Sequence, residues 1–216
     1  MTMFSRLVRL VPVLAIAATL AGCGINTIPT RDEAVKASWA DVQSQYQRRA
    51  DLIPNLVATV KGYAAQEKDV LTAVTEARAS ATQVRVDAST ITNPAQFQQF
   101  QQSQDKLSGV LGRLMMIQEN YPDLKSNTNF LALQSQLEGT ENRIAIARRD
   151  YNVTAQSYNT SLRTFPTVIW AKTAFSGQKP AQIFQAAQSA QNAPTVSFDA
   201  PAAPAVPAPD AAPAAK

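Results

Sequence analysis

FLALQSQLEGTENRIAIARRDYNVTAQSYNTSLRTF, running from Phe130 to Phe165, places Phe130, Leu137, Ile144, Tyr151, Tyr158 and Phe165 seven residues apart without a miss. Seven residues are two turns of α-helix, so these side chains form one stripe and the segment reads as a long amphipathic helix ending at Pro166. The stripe four positions on, Gln134, Glu141, Arg148, Ala155 and Leu162, is partly polar. Upstream, Asn93 caps a second helix with Pro94 in its first turn, and Phe100, Leu107, Leu114 and Tyr121 follow at sevens until Pro122 stops it.

Further upstream the same period gives Trp39, Tyr46, Ile53, Val60, Glu67, Val74 and Ala81, with Val42, Arg49, Leu56, Tyr63, Val70 and Ala77 three positions on. One helix from Arg31 to Thr82 would run roughly 78 Å at 1.5 Å per residue. Pro54 removes the hydrogen bond to Ala50 and crowds its carbonyl, so a kink is expected there, or a second helix starting with Pro54 in its first turn; Gly62 is a weaker point. Beyond Pro166, Thr167 to Phe175 reads as a short helix ended by Gly177, and Ala181 to Ser189 as another. No run asks to be a strand. The expectation is an all-α fold, an elongated antiparallel up-and-down bundle of three to four helices with coiled-coil-like seams, occupying residues 31–199. Aromatic residues on such seams read as core before they read as a binding cage.

Both flanks are different material. Arg6 and Arg9 precede an apolar run from Leu10, and Leu20-Ala21-Gly22-Cys23 closes it as a lipobox, so residues 1–22 read as a lipoprotein signal peptide and Cys23 as the lipidated residue. The run stops at Ile25, short of the roughly 20 apolar residues that span a bilayer. An uncleaved N-terminal helix anchoring the chain in the inner membrane is the weaker alternative. Residues 23–30 then form a lipidated tether, and residues 200–216, almost entirely Pro and Ala, a disordered tail. Gly24, rather than aspartate, follows Cys23, which points to a periplasm-facing lipoprotein of the outer membrane if there are two membranes.

The chain has 20 basic and 16 acidic residues; without Arg6 and Arg9 the mature chain keeps 18 bases and a net charge of +2. That is too mild, and Arg48-Arg49 and Arg148-Arg149 too isolated, to argue for nucleic acid. No histidine is present, which excludes histidine-activated nucleophiles and histidine-containing metal sites, and the single thiol is assigned to lipid. Glu138 and Glu141 lie on an amphipathic helix beside Arg143, with no evident cleft for paired carboxylates, and no Gly-rich phosphate loop occurs. The expectation is no catalytic residue, no metal and no cofactor.

The informative polar residues are those inside the seams: Arg49, Glu67, Glu141 and Arg148. A charge at a core position must be paired, because burying it alone costs several kcal/mol. With antiparallel first and third helices, Arg49 is expected to face Glu141 or a neighbour, and Glu67 to face Arg148. Such pairs either set the register of the long helices or line a polar groove that binds a ligand.

Arg48-Arg49-Ala50-Asp51-Leu52-Ile53-Pro54-Asn55-Leu56-Val57, Val60-Lys61-Gly62-Tyr63-Ala64, Glu67 and Glu76-Ala77-Arg78 resemble the LemA family. The likeness continues through Glu119-Asn120-Tyr121-Pro122-Asp123-Leu124-Lys125, Thr140-Glu141-Asn142-Arg143-Ile144-Ala145, Arg148-Arg149-Asp150-Tyr151-Asn152, Tyr158-Asn159, Phe165-Pro166 and Pro194-Thr195-Val196-Ser197-Phe198. The resemblance implies a helical bundle on an N-terminal membrane tether. It brings no established activity, and it implies an envelope membrane protein, of the TPM-domain type, as a partner. Two features depart from the family pattern: Gln66 stands where many relatives have histidine, and the leader ends in a lipobox where relatives commonly have a transmembrane segment. The functional expectation is a non-catalytic membrane-tethered scaffold that binds an envelope protein, with a small-ligand module using a groove between helices as the alternative.

Overall fold

The computed structural model describes residues 24–84, 87 and 89–185. The chain divides into two compact units, Met1–Phe184 and Gln185–Lys216, and the fold described is that of the first. Helices α1 (Thr27–Tyr63), α2 (Lys68–Gln83), α3 (Pro94–Ile117), α4 (Pro122–Lys125), α5 (Thr128–Ser161) and α6 (Thr167–Lys172) are joined by turns, with no strand among the described residues. The protein is all-α.

Side-chain bonds fix the directions. Arg31 reaches the Ser157 carbonyl, Arg49 reaches Glu141 and Asn127 reaches the Tyr63 hydroxyl, so α1 and α5 run antiparallel with facing residue numbers that add to 188–190. Arg49 also meets Gln104 and Ser108 while Trp39 and Tyr46 meet Phe100, so α3 runs parallel to α1. The α2 helix folds back between them, tied at Ala50 by Arg78 and at Ala81 by Gln104.

The first helix does not restart at Pro54. It passes through the proline unbroken, and the reversal comes at Ala64–Glu67. Proline at 54 leaves the Ala50 carbonyl without its helical donor. Arg78 Nε supplies one from α2, at 2.8 Å. The missing bond is therefore made across the fold rather than within the helix. The reversal itself serves burial: folding back places Leu71, Val74, Ala77 and Ala81 against α1 and α3, where a continuous helix would leave them in water. At the start, α1 begins at Thr27, so part of the stretch expected as tether is helical and Ile28 is fully buried.

Asn93 caps α3 as expected, its Oδ1 accepting from the Ala95 and Gln96 amides with Pro94 in the first turn. The helix stops at Ile117, and a 3-10 turn over Gln118–Asn120 leads to Tyr121-Pro122. The seam of α5 ends at Tyr158: the helix closes at Ser161, and Phe165, expected on the stripe, is 80% exposed. Residues 162–166 instead turn the chain into α6, which Thr167 fastens by donating its hydroxyl to the Ser161 carbonyl.

The helix expected from Ala181 is not there. Residues 178–184 form a non-helical strap along α5, and 186–189 lie outside the described residues. Asn159 both accepts from the Ala181 amide and donates to its carbonyl, at 2.7 and 2.8 Å, and Asn152 does the same to Phe184 at 2.9 and 3.0 Å. Tyr151 donates to the Gln182 carbonyl and Tyr158 to the Gln178 side chain. With the backbone groups of Ala181 and Phe184 and the Gln182 carbonyl bonded to α5, and the Gln182 amide to the Ile91 carbonyl, the strap has partners without coiling, and Phe184 drops into the core.

Candidate functional site

Two apolar clusters fill the bundle. One contains Ile28 to Tyr46 of α1, Phe97 and Phe100 of α3, Ile144 to Tyr158 of α5, and Phe184. The other contains Ile53 to Val60 of α1, Leu107 to Ile117 of α3, Leu137 of α5 and the buried face of α2. The seven-residue step between them carries a polar residue on each of the three long helices: Arg49 lies between Tyr46 and Ile53, Gln104 between Phe100 and Leu107, and Glu141 between Leu137 and Ile144.

Arg49 is the centre of this layer and is 1% exposed. Its Nη1 donates to Ser108 Oγ and Glu141 Oε1, both at 2.7 Å. Its Nη2 donates to the Gln104 carbonyl at 3.3 Å and to Gln104 Oε1 at 2.5 Å. Gln104 Nε2 in turn donates to the Ala81 carbonyl at 3.4 Å. One guanidinium therefore ties α1 to α3 and α5, and through Gln104 to α2. The guanidinium also lies 5.0 Å from the Tyr46 ring centroid, which helps offset its desolvation. Its Nε has no partner among the described residues. The Glu141 side chain is 40% exposed, so the pair is buried at its cationic end and wet at its anionic end.

The other two seam charges do not meet. With facing α1 and α5 numbers adding to about 190, Arg148 lies opposite the level of Val42, far along the bundle from Glu67. Glu67 precedes α2 and accepts from the Tyr121 hydroxyl at 2.9 Å. That bond to a carboxylate raises the Tyr121 phenol above its ordinary value. Arg148 stands 4.0 Å from Asp105 and stacks over Phe184, 4.5 Å from the ring centroid. The expected Glu67–Arg148 contact is thus replaced by two separate contacts.

An aromatic group surrounds Trp39, whose ring centroid lies 5.2–6.0 Å from those of Phe97, Phe100, Tyr151 and Phe184. The strap supplies Phe184, so the cluster closes only when the strap is seated. Burial raises the phenols of Tyr46 and Tyr151, and pushes Tyr158 up to about 12, where the Asp32 charge adds to it and Lys36 opposes it. Asn152 and Asn159 were not singled out by chemistry in the sequence. Their signal was the repeat Tyr151-Asn152 and Tyr158-Asn159 at one heptad spacing, which puts both amides on one edge of the seam.

Clefts at the helix junctions are open to solvent. One of about 300 Å³ lies between α1, α2 and α3, lined by Tyr46, Ala50, Ala81, Phe100 and Gln104 among others. Another, of about 220 Å³, lies between α1 and α5, with Asp41, Gln45, Arg143 and Asp150. Among the described residues no three His, Cys, Asp or Glu side chains gather as metal ligands, and no helix is long and apolar enough to cross a membrane. Cys23 lies outside the described residues.

A family model described as the LemA family matches residues 38–198. Magnetosome proteins MamQ 2 and MamQ 1 of Paramagnetospirillum magneticum are each 29% identical to the chain over 196 residues, covering 82% of it and 70% of their own length. Protein LemA of Metamycoplasma hominis is 26% identical over 126 residues, 58% of this chain and 53% of its own.

Proposed function

We propose, from the premise that the chain belongs to the LemA family, that it is a non-catalytic helical scaffold, tethered to a membrane through lipidated Cys23 and presenting its bundle to an envelope protein. The observation that carries this reading is the closure of the Arg49 layer. The most deeply buried charge of the seam is spent on Ser108, Gln104 and Glu141, partners from two other helices, rather than aimed at a substrate. Buried ionic layers of this kind reward one alignment of long helices and penalise slipped ones. A fixed register suits a protein whose product is a surface. The outer face of α5 offers one, with Ile146 and Val153 exposed at a heptad spacing.

Site-specific photocrosslinking from position 146 or 153 of the intact chain in cells tests the partner reading. One stoichiometric envelope protein is the expected product, and repeated recovery of none refutes it. Cys23→Ser tests the tether: the mature mass and detergent partitioning must change. The second reading, a small-ligand module, draws on the cleft of about 300 Å³ beside Gln104 and Tyr46. Its prediction is a ligand that copurifies with the wild type and is lost from Gln104→Ala.

A further inference from the structure

Three features meet at the end of the bundle where the described chain begins. First, Gly24 is buried there, and a Cβ on it would touch Thr167, Pro166 and Trp170 at 3.5–3.9 Å. Gly24, the first described residue, therefore packs against the α5–α6 turn. Second, this turn exposes apolar side chains that the core leaves out: Phe165 is 80% exposed, Ile169 50% and Ile25 36%. Third, bases outnumber acids in the segments that build this end. From Tyr151 through Phe198 the chain carries Arg163, Lys172 and Lys179 and no acid. The nearest carboxylates along α1, Asp32 and Glu33, are held by Lys36 at 2.8 and 2.7 Å.

We propose that this end, built on Ile25, Phe165 and Ile169 with Arg163, Lys172 and Lys179 around them, is a docking surface for an anionic lipid bilayer. The three features select that occupant. A protein-binding patch of this size is depleted of lysine at its core, whereas a bilayer interface takes an aromatic and aliphatic tip flanked by bases. The bases contact headgroups while Phe165 and Ile169 reach the acyl boundary. Each base near an anionic surface strengthens association about fivefold, so the three together give on the order of a hundredfold. Such docking need not hold the protein on the membrane by itself. Attachment a residue or two away makes it an intramolecular step at high effective concentration. The surface then sets which way the bundle stands on the membrane.

The test uses the full chain on vesicles of phosphatidylcholine with or without phosphatidylglycerol, their acyl chains brominated. Phe165→Trp adds a reporter at an exposed site, read as the difference from the parent protein. Bromine quenching of that difference in phosphatidylglycerol vesicles is expected, falling sharply in phosphatidylcholine alone and in R163Q/K172Q/K179Q. An unquenched reporter in both lipids overturns the proposal. So does a blue-shifted but unquenched one, which places residue 165 against protein, and so does equal quenching in the neutralised variant. The proposal takes from the tethered reading only the route to the membrane, and sedimentation separates the two. A neutralised variant that still pellets with vesicles while losing quenching supports docking beside a working tether. Pelleting that itself depends on the three bases supports docking and removes the tether.

Discussion

Arg78→Met should destabilise the fold through a carbonyl 28 residues away, and Pro54→Ala should abolish most of that effect. The Ala50 carbonyl is the acceptor that Pro54 deprives of its helical donor, and Ala50 is 4% exposed. Arg78 Nε fills the vacancy at 2.8 Å. A bond from a charged donor to a buried carbonyl contributes about 1.5–3 kcal/mol, and methionine keeps much of the apolar stem, so the loss is about 2 kcal/mol. For a domain of this size that is a fall of about 4–8 °C in Tm. In the Pro54→Ala background residue 54 regains its N–H and can bond Ala50 within the helix. Arg78→Met should then cost less than about 1 kcal/mol, a coupling of at least about 1 kcal/mol between the two sites. Urea and thermal unfolding of the four proteins of the cycle, followed by far-ultraviolet circular dichroism, measure it. Equal costs of Arg78→Met in both backgrounds would show that the arginine acts elsewhere and refute the account of why α1 crosses Pro54.

Arg49→Ala should cost about 2–4 kcal/mol, since it strips Gln104 and Ser108 of a buried donor while half-exposed Glu141 can return to water; Glu141→Gln should cost less in the same unfolding assay. Alanine at Asn152 and Asn159 together should speed amide exchange at Ala181 and Phe184 by about 30-fold or more while the α1–α5 core exchanges as before, because each asparagine contributes two bonds of about 1 kcal/mol. Stability should fall on the alkaline side. The Tyr158 phenol, raised from 10.0 to about 12, keeps its proton in the fold at pH values where an unfolded tyrosine releases it. Its contribution is therefore complete below about pH 10 and lost as pH rises towards 12, with Tyr46 and Tyr151 acting in the same direction. Helix signal and phenolate absorbance should change together through that window; phenolate formation well below helix loss would contradict it.

Local and periodic information was legible in the chain. The heptads from Phe130 to Tyr158 are all buried, apart from the extrapolated Phe165, and the Asn93-Pro94 start of α3 is where capping chemistry puts it. The facing of Arg49 by Glu141 followed from the need of a core charge for a counter-charge. Gln104 and Ser108 gave no such signal, because a neutral polar residue on a helix is ordinarily a solvent-facing one. Glu67 and Arg148 look like partners in the sequence only because both are seam charges. The α1–α5 register, set by all the contacts along both helices at once, puts them at different levels.

The sequence by itself determined the all-α class, the long seams and the family, because helical period and caps act within a few residues. Tertiary structure alone decided where the chain reverses, which residue completes the helix at Pro54, and that residues 178–184 lie as a strap. Each of those outcomes depends on a donor or an apolar face brought from a distant part of the chain: Arg78 to Ala50, α2 to α3, Asn152 and Asn159 to the strap. Backbone bonds denied locally can be supplied by any group that the fold brings within about 3 Å, and no local pattern records which one arrives.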